Sequence, residues 1–233
     1  MTAVFRRECL EYFKTMLGYV FIAAFLFLAG AAFAAGNILP LDAEFNATLN
    51  NCVYVFMITS PLLTMRLLSE EKKTKRDQLL LTSGLSIAEI VLGKFFSALF
   101  VFAVTCALTS VYPIVLFVFG APDLPLILNG YLGFFLLGSA FISVGMFVSA
   151  LTENQLTAAI GAYGFLLLFL TLDLLIAKVK VGPISTMLHW FSLFRRFAPY
   201  RFGSFSVSST IYYLVFSAAF LAFSILAMEK RMR

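Results

Sequence analysis

The sequence predicts an all-α integral membrane protein with six transmembrane helices. An N-terminal interfacial helix precedes them, and a short cytoplasmic helix lies between the second and third spans. Three observations carry this expectation. Of 233 residues, 61% are hydrophobic and only 12% are charged, whereas soluble domains carry about 25% charged residues. Mean hydropathy is +0.96. Six apolar runs each reach the ~20 residues needed to cross a bilayer.

Residues 1–16 come first. Phe5, Cys9, Tyr12, Phe13 and Met16 fall at helical spacing, and Arg6, Arg7 and Lys14 take much of the other face. Arg7 is within reach of Glu11 on such a helix. An amphipathic helix of this kind lies in the membrane plane. Its length and polarity exclude a cleaved signal peptide.

The spans are expected at about 17–36, 49–68, 90–119, 127–151, 155–177 and 210–228. Only Thr-Glu-Asn-Gln separates the fourth from the fifth, which makes them a tight helical hairpin. Placing both termini in the cytoplasm puts twelve of the seventeen Lys and Arg residues inside, in accord with the positive-inside rule. The same bias explains the net charge of +5 without nucleic-acid binding. The remaining five basic residues lie in the outer loop, 178–209. There, 187–197 carries Trp190, Phe194 and Phe197 on one stripe and His189, Ser192 and Arg196 on another. This predicts a second amphipathic helix that rests on the outer leaflet or dips into it; the plainer reading is a solvent loop. Small residues in the first and fourth spans, including the pairs Ser139/Ser143 and Gly145/Ser149, predict close helix packing. The whole chain, 1–233, reads as one transmembrane domain.

The chemistry that is missing narrows function. Gly93-Lys94 is followed by Phe95, and position 88 is Ala, so no phosphate-binding loop occurs. His189 is the only histidine, and Cys9, Cys52 and Cys106 have no metal or disulfide spacing. No catalytic residue, metal site or cofactor site is expected in this chain. Inside the spans, Asp173 is the one ionisable residue that could mark an ion path. Its plainer reading is a solvated interfacial carboxylate, or a partner for Lys178.

Charge is concentrated in one place. Glu70, Glu71, Lys72, Lys73, Lys75, Arg76 and Asp77 precede Leu79, Leu80 and Leu81. Thr82, Ser83 and Gly84 then form a turn signal. Ser86 and Glu89 have capping-box spacing, which starts the third helix before the membrane, with entry near Lys94. Residues 69–89 therefore predict a short amphipathic helix joined rigidly to the third span. That is the shape of a mechanical coupling element; the plainer reading is a positive-inside loop with an incidental amphipathic turn.

The run RLLSEEKKTKRDQLLLTSGLSIAEIVLGKF resembles the coupling region of permease subunits of type-2 ATP-binding cassette exporters. The matching elements are Glu70-Glu71-Lys72, Leu79 to Ser83, Glu89-Ile90 and Leu92-Gly93-Lys94. The gliding-motility-associated permeases are the nearest subgroup, with nitrous-oxide-reductase-maturation permeases as cousins. Two departures stand out. Lys75-Arg76-Asp77-Gln78 replaces a Gly-Thr-acidic pattern, and Gly84 stands where many members have Pro.

The resemblance implies a bacterial inner-membrane subunit that dimerises with itself or a sister permease. It implies a cytoplasmic ATPase partner that binds ATP and Mg, and coupling to it through Glu70 to Lys73, Leu79 to Gly84, Ser86 and Glu89. Two other readings stand beside it. One is an ion-coupled carrier working through Asp173. The other is a membrane assembly factor without transport.

Overall fold

The computed structural model describes residues 1–41, 44–70, 86–119, 122–178 and 192–232. Among these, every regular element is helical. The order is α1 (Thr2–Lys14), α2 (Met16–Phe33) with a π-helical extension (Ala34–Ile38), α3 (Phe45–Thr64), α4 (Ile87–Thr109) and α5 (Val111–Phe119). Then follow α6 (Leu124–Leu151), α7 (Gln155–Lys178), a 3-10 turn (Arg195–Phe197), α8 (Ala198–Arg201) and α9 (Val207–Met232).

Five helical stretches are long and apolar enough to cross a membrane: Met16–Ile38, Ile87–Val118, Leu124–Leu151, Gln155–Leu175 and Val207–Lys230. The expected second span is α3. It has 20 residues, but it is more polar and thirteen of them are buried. Its hydroxyls turn back on its own carbonyls: Thr59 to Val55 at 3.0 Å and Thr64 to Ser60 at 3.1 Å. That satisfies polar groups where water is scarce.

The third expected span is two helices rather than one. They meet at Ser110, whose hydroxyl donates to the Ala107 carbonyl at 2.6 Å. Pro113 follows three residues later. It lacks an N–H for the Thr109 carbonyl, and its ring crowds that oxygen.

The bundle is built around α6. The apolar window of α6 is 78% buried, whereas those of the other four spans are 28–33% buried. It packs against α3, α4, α7 and α9, and the hairpin of α6 with α7 is the one the short connection predicts. Phe56 of α3 sits at the centre of the core. Its ring stacks on Phe102 at 4.1 Å between centroids and meets Phe134 edge-on at 5.9 Å. Phe25 joins it at 6.0 Å. Gly138 of α6 faces the Phe102 ring, and a Cβ there would overlap it. The small residues thus bring helices of one chain together. Ser139 reaches Ser217 of α9 at 3.3 Å.

The outer segment departs from expectation. Where it is described, 192–201 is a turn, a 3-10 turn and one short helix, not a surface helix. Leu193, Phe197 and Tyr200 are buried in the bundle. The Tyr213 hydroxyl donates to the Leu193 carbonyl at 2.6 Å. Phe197 is drawn inward because burying its ring against the bundle removes apolar surface from water. Trp190 and His189 lie outside the described residues.

Candidate functional site: the charged end of the bundle

One end of the bundle collects α1, the end of α3 and the start of α4. α1 ends at Thr15, whose backbone is extended and whose hydroxyl donates to the Glu11 carbonyl at 2.8 Å. This break lets α1 leave the direction of α2 and lie across α4. Val4, Glu8 and Tyr12, spaced four apart, form its buried face. The approach to α4 is close because position 93 is glycine. A Cβ at Gly93 would stand 3.0 Å from the Val4 side chain.

Glu8 is the acid within that face. Its carboxylate meets the Lys94 ammonium at 3.1 Å, with the two side chains 8% and 2% exposed. Arg7 also donates to Glu8, at 2.7 Å. The Lys94 side chain is buried inside the protein. An ion pair this deep is costly to desolvate, and it persists because each charge needs the other.

Glu11 pairs with Arg66, at 3.4 Å, rather than with Arg7. Arg66 also holds Glu70 through Nε and, at 3.0 Å, through Nη2. The Tyr12 hydroxyl donates to the Leu63 carbonyl at 2.8 Å, satisfying an acceptor at the end of α3. Burial, and then the Glu8 charge, push the Tyr12 hydroxyl well above the usual phenol range. The Cys9 thiol is also raised, first by burial and then by Glu8.

Past α3, the turn at 65–69 is tied to α6. The Ser149 hydroxyl accepts from the Leu68 and Ser69 N–H groups at 3.1 Å and donates to the Met65 carbonyl at 3.3 Å. The capping box at the start of α4 is formed as its spacing predicts. The Glu89 N–H donates to the Ser86 hydroxyl at 3.2 Å, and the Ser86 N–H donates to the Glu89 carboxylate at 3.2 Å. The chain's terminal ammonium sits 3.5 Å from Glu89. α1 therefore touches both feet of the segment between Glu70 and Ser86.

Of the expected coupling residues, Glu70, Ser86 and Glu89 are at these feet. Glu71, Lys72, Lys73, Leu79, Leu80, Leu81, Thr82, Ser83 and Gly84 lie outside the described residues. Sequence reasoning missed Glu8, Arg66 and Ser149 as members of the site. A signal existed for Glu8: it lies between Phe5 and Tyr12 on the buried stripe, where an acid needs a partner. The Gly145/Ser149 spacing pointed to close packing at Ser149, but not to its hydrogen bonds with the turn at 65–69.

Between α1, α3 and α4 lies a cavity of about 230 Å³. Arg7, Glu8, Glu11, Arg66, Glu70 and Lys94 line it together with Tyr12, Thr15, Leu17 and Leu67. Among the described residues, no three His, Cys, Asp or Glu side chains converge as a metal site requires.

Asp173 is remote from this end. It is 7% exposed, not solvated. Its carboxylate accepts the Phe194 N–H at 2.9 Å and so caps the turn at 192–194. The side chain of Lys178 lies outside the described residues.

Fold and site together define a multi-pass helical membrane protein. Scanning protein-family models and searching curated proteins both give no match to the chain.

Proposed function

We propose that this chain is the permease subunit of an ATP-driven transporter of the ATP-binding cassette type, with α3 as a sixth span and both termini cytoplasmic. A separate cytoplasmic ATPase binds ATP and Mg, and a second copy or a sister permease completes the complex in a bacterial inner membrane. The segment from Glu70 to Glu89 receives the ATPase, and its closure moves the helices to export a cargo or to do mechanical work. The observation that carries this reading is the anchoring of both feet of that segment. Arg66–Glu70 and Ser149 hold one foot, and the Ser86–Glu89 box holds the other. Force on a segment anchored this way passes into α3, α4 and α6 instead of being lost in slack chain. The resemblance of 66–95 to type-2 permeases supports the same assignment.

The test is affinity purification from native membranes in mild detergent. Wild type should bring down an ATP-binding subunit, and charge reversal at Glu70 and Glu71 should lose it. Absence of any ATPase across several detergents would reject the proposal. The carrier reading through Asp173 gains little, because that carboxylate already serves as a backbone cap.

A further inference from the structure

The cavity at the charged end has features that the permease reading does not use. Its walls carry three cationic and three anionic side chains. The buried pair, Glu8 and Lys94, is met by Arg7 as well. In the outer pair, Arg66 Nη2 and Glu11 are 3.4 Å apart, longer than the 2.7–2.9 Å usual for a charge-assisted contact. Glu11 and Arg66 remain 38% and 23% exposed. Among the described residues, Arg66 Nη1 and Glu11 Oε2 make no hydrogen bond. One wall thus offers a guanidinium edge with unused donors, beside a carboxylate oxygen with unused acceptor capacity.

A simple anion meets the Glu11 and Glu70 carboxylates here and is disfavoured. A simple cation meets Arg7 and Arg66 and is disfavoured too. A ligand with both charges a few bonds apart satisfies both groups. We propose that this cavity binds a phosphoethanolamine group, with its phosphate on Arg66 Nη1 and its ammonium on Glu11 Oε2. The primary ammonium matters, since it donates hydrogen bonds that a quaternary ammonium cannot. The source is a membrane lipid. Leu17, at the start of α2, and Leu67 give the same cavity an apolar wall beside its charged groups.

The test uses the full chain in detergent, with phosphatidylethanolamine, phosphatidylcholine and phosphatidylglycerol added separately. Native mass spectrometry reads lipid retention, and thermal unfolding reads stabilisation. Wild type should retain the ethanolamine lipid roughly ten- to a hundredfold over either alternative, the size expected of one charged hydrogen-bonded contact. Glu11→Gln should erase that preference while leaving the other two lipids unchanged. Arg66→Lys, which keeps the charge but loses the fork, should weaken ethanolamine-lipid retention without restoring the choline lipid. Equal retention of the three lipids by wild type would overturn the proposal, as would an unchanged preference in folded Glu11→Gln. Stabilisation by soluble phosphoethanolamine with no preference for the ethanolamine lipid would overturn a lipid as the occupant.

Discussion

The two ends of the bundle are held by different forces. At the charged end, long side chains pair across the sequence: Glu8 with Lys94 and Arg66 with Glu11 and Glu70. At the opposite end, amides and hydroxyls bind backbone carbonyls. Asn46 Nδ2 donates to Arg201 at 2.7 Å and to Leu126 at 3.2 Å. Asn129 donates to Gly203 at 2.8 Å, and the Tyr200 hydroxyl reaches Thr210 at 2.6 Å. Charge pairs have loose angular demands and can exchange partners. Amide-to-carbonyl bonds are directional and bind to elements that cannot move alone. The difference teaches which bonds join distant parts of the chain: ion pairs that need both partners at the charged end, and donors closing on backbone carbonyls at the opposite end.

The largest test of this contrast is Lys94→Met. It removes the buried cationic partner of Glu8 and leaves that carboxylate to Arg7, so it should cost up to about 3 kcal/mol, below the full penalty of an uncompensated buried charge, read as thermal unfolding in detergent. The double variant with Glu8→Leu should recover most of that loss. A single and a double variant of equal stability would show that Glu8 and Lys94 are not coupled. Asn46→Leu should come next, at about 1–3 kcal/mol for two carbonyls left without their donor. It should leave ATPase copurification intact, whereas Lys94→Met should weaken it. Loss of copurification in Asn46→Leu would erase the functional distinction between the ends.

Asp173→Asn should be milder, under about 1.5 kcal/mol, because an amide oxygen still accepts the Phe194 N–H. Asp173→Leu, with no acceptor, should destabilise more in the same assay. The smallest effect is kinetic. Cys9 is raised by burial and by Glu8, so less thiolate is present near neutral pH and maleimide labelling should be slow there. Labelling should accelerate as pH rises beyond the ordinary thiol range. Glu8→Gln removes the anionic neighbour and should speed labelling at pH 8, followed by mass spectrometry of the Cys9 peptide.

Composition and local pattern determined the class of this protein. Twenty apolar residues in a row must be helical in a bilayer, since each backbone group then finds its partner within the segment. The Ser86–Glu89 cap was legible for the same reason: both partners lie within one turn. What joins distant parts of the chain was not legible. The sequence does not show that Lys94 has a partner until α1 folds over Gly93 and brings Glu8 to it, 86 positions earlier. Asp173 reads as solvated until the Phe194 N–H closes on it. The aromatic stripe of the outer loop reads as a surface until the bundle takes Phe197 inside. Local rules decide which residues are helical and apolar. Only tertiary structure decides which rare polar groups meet, because in a chain this poor in charge a buried polar side chain is stable only where another element supplies its partner.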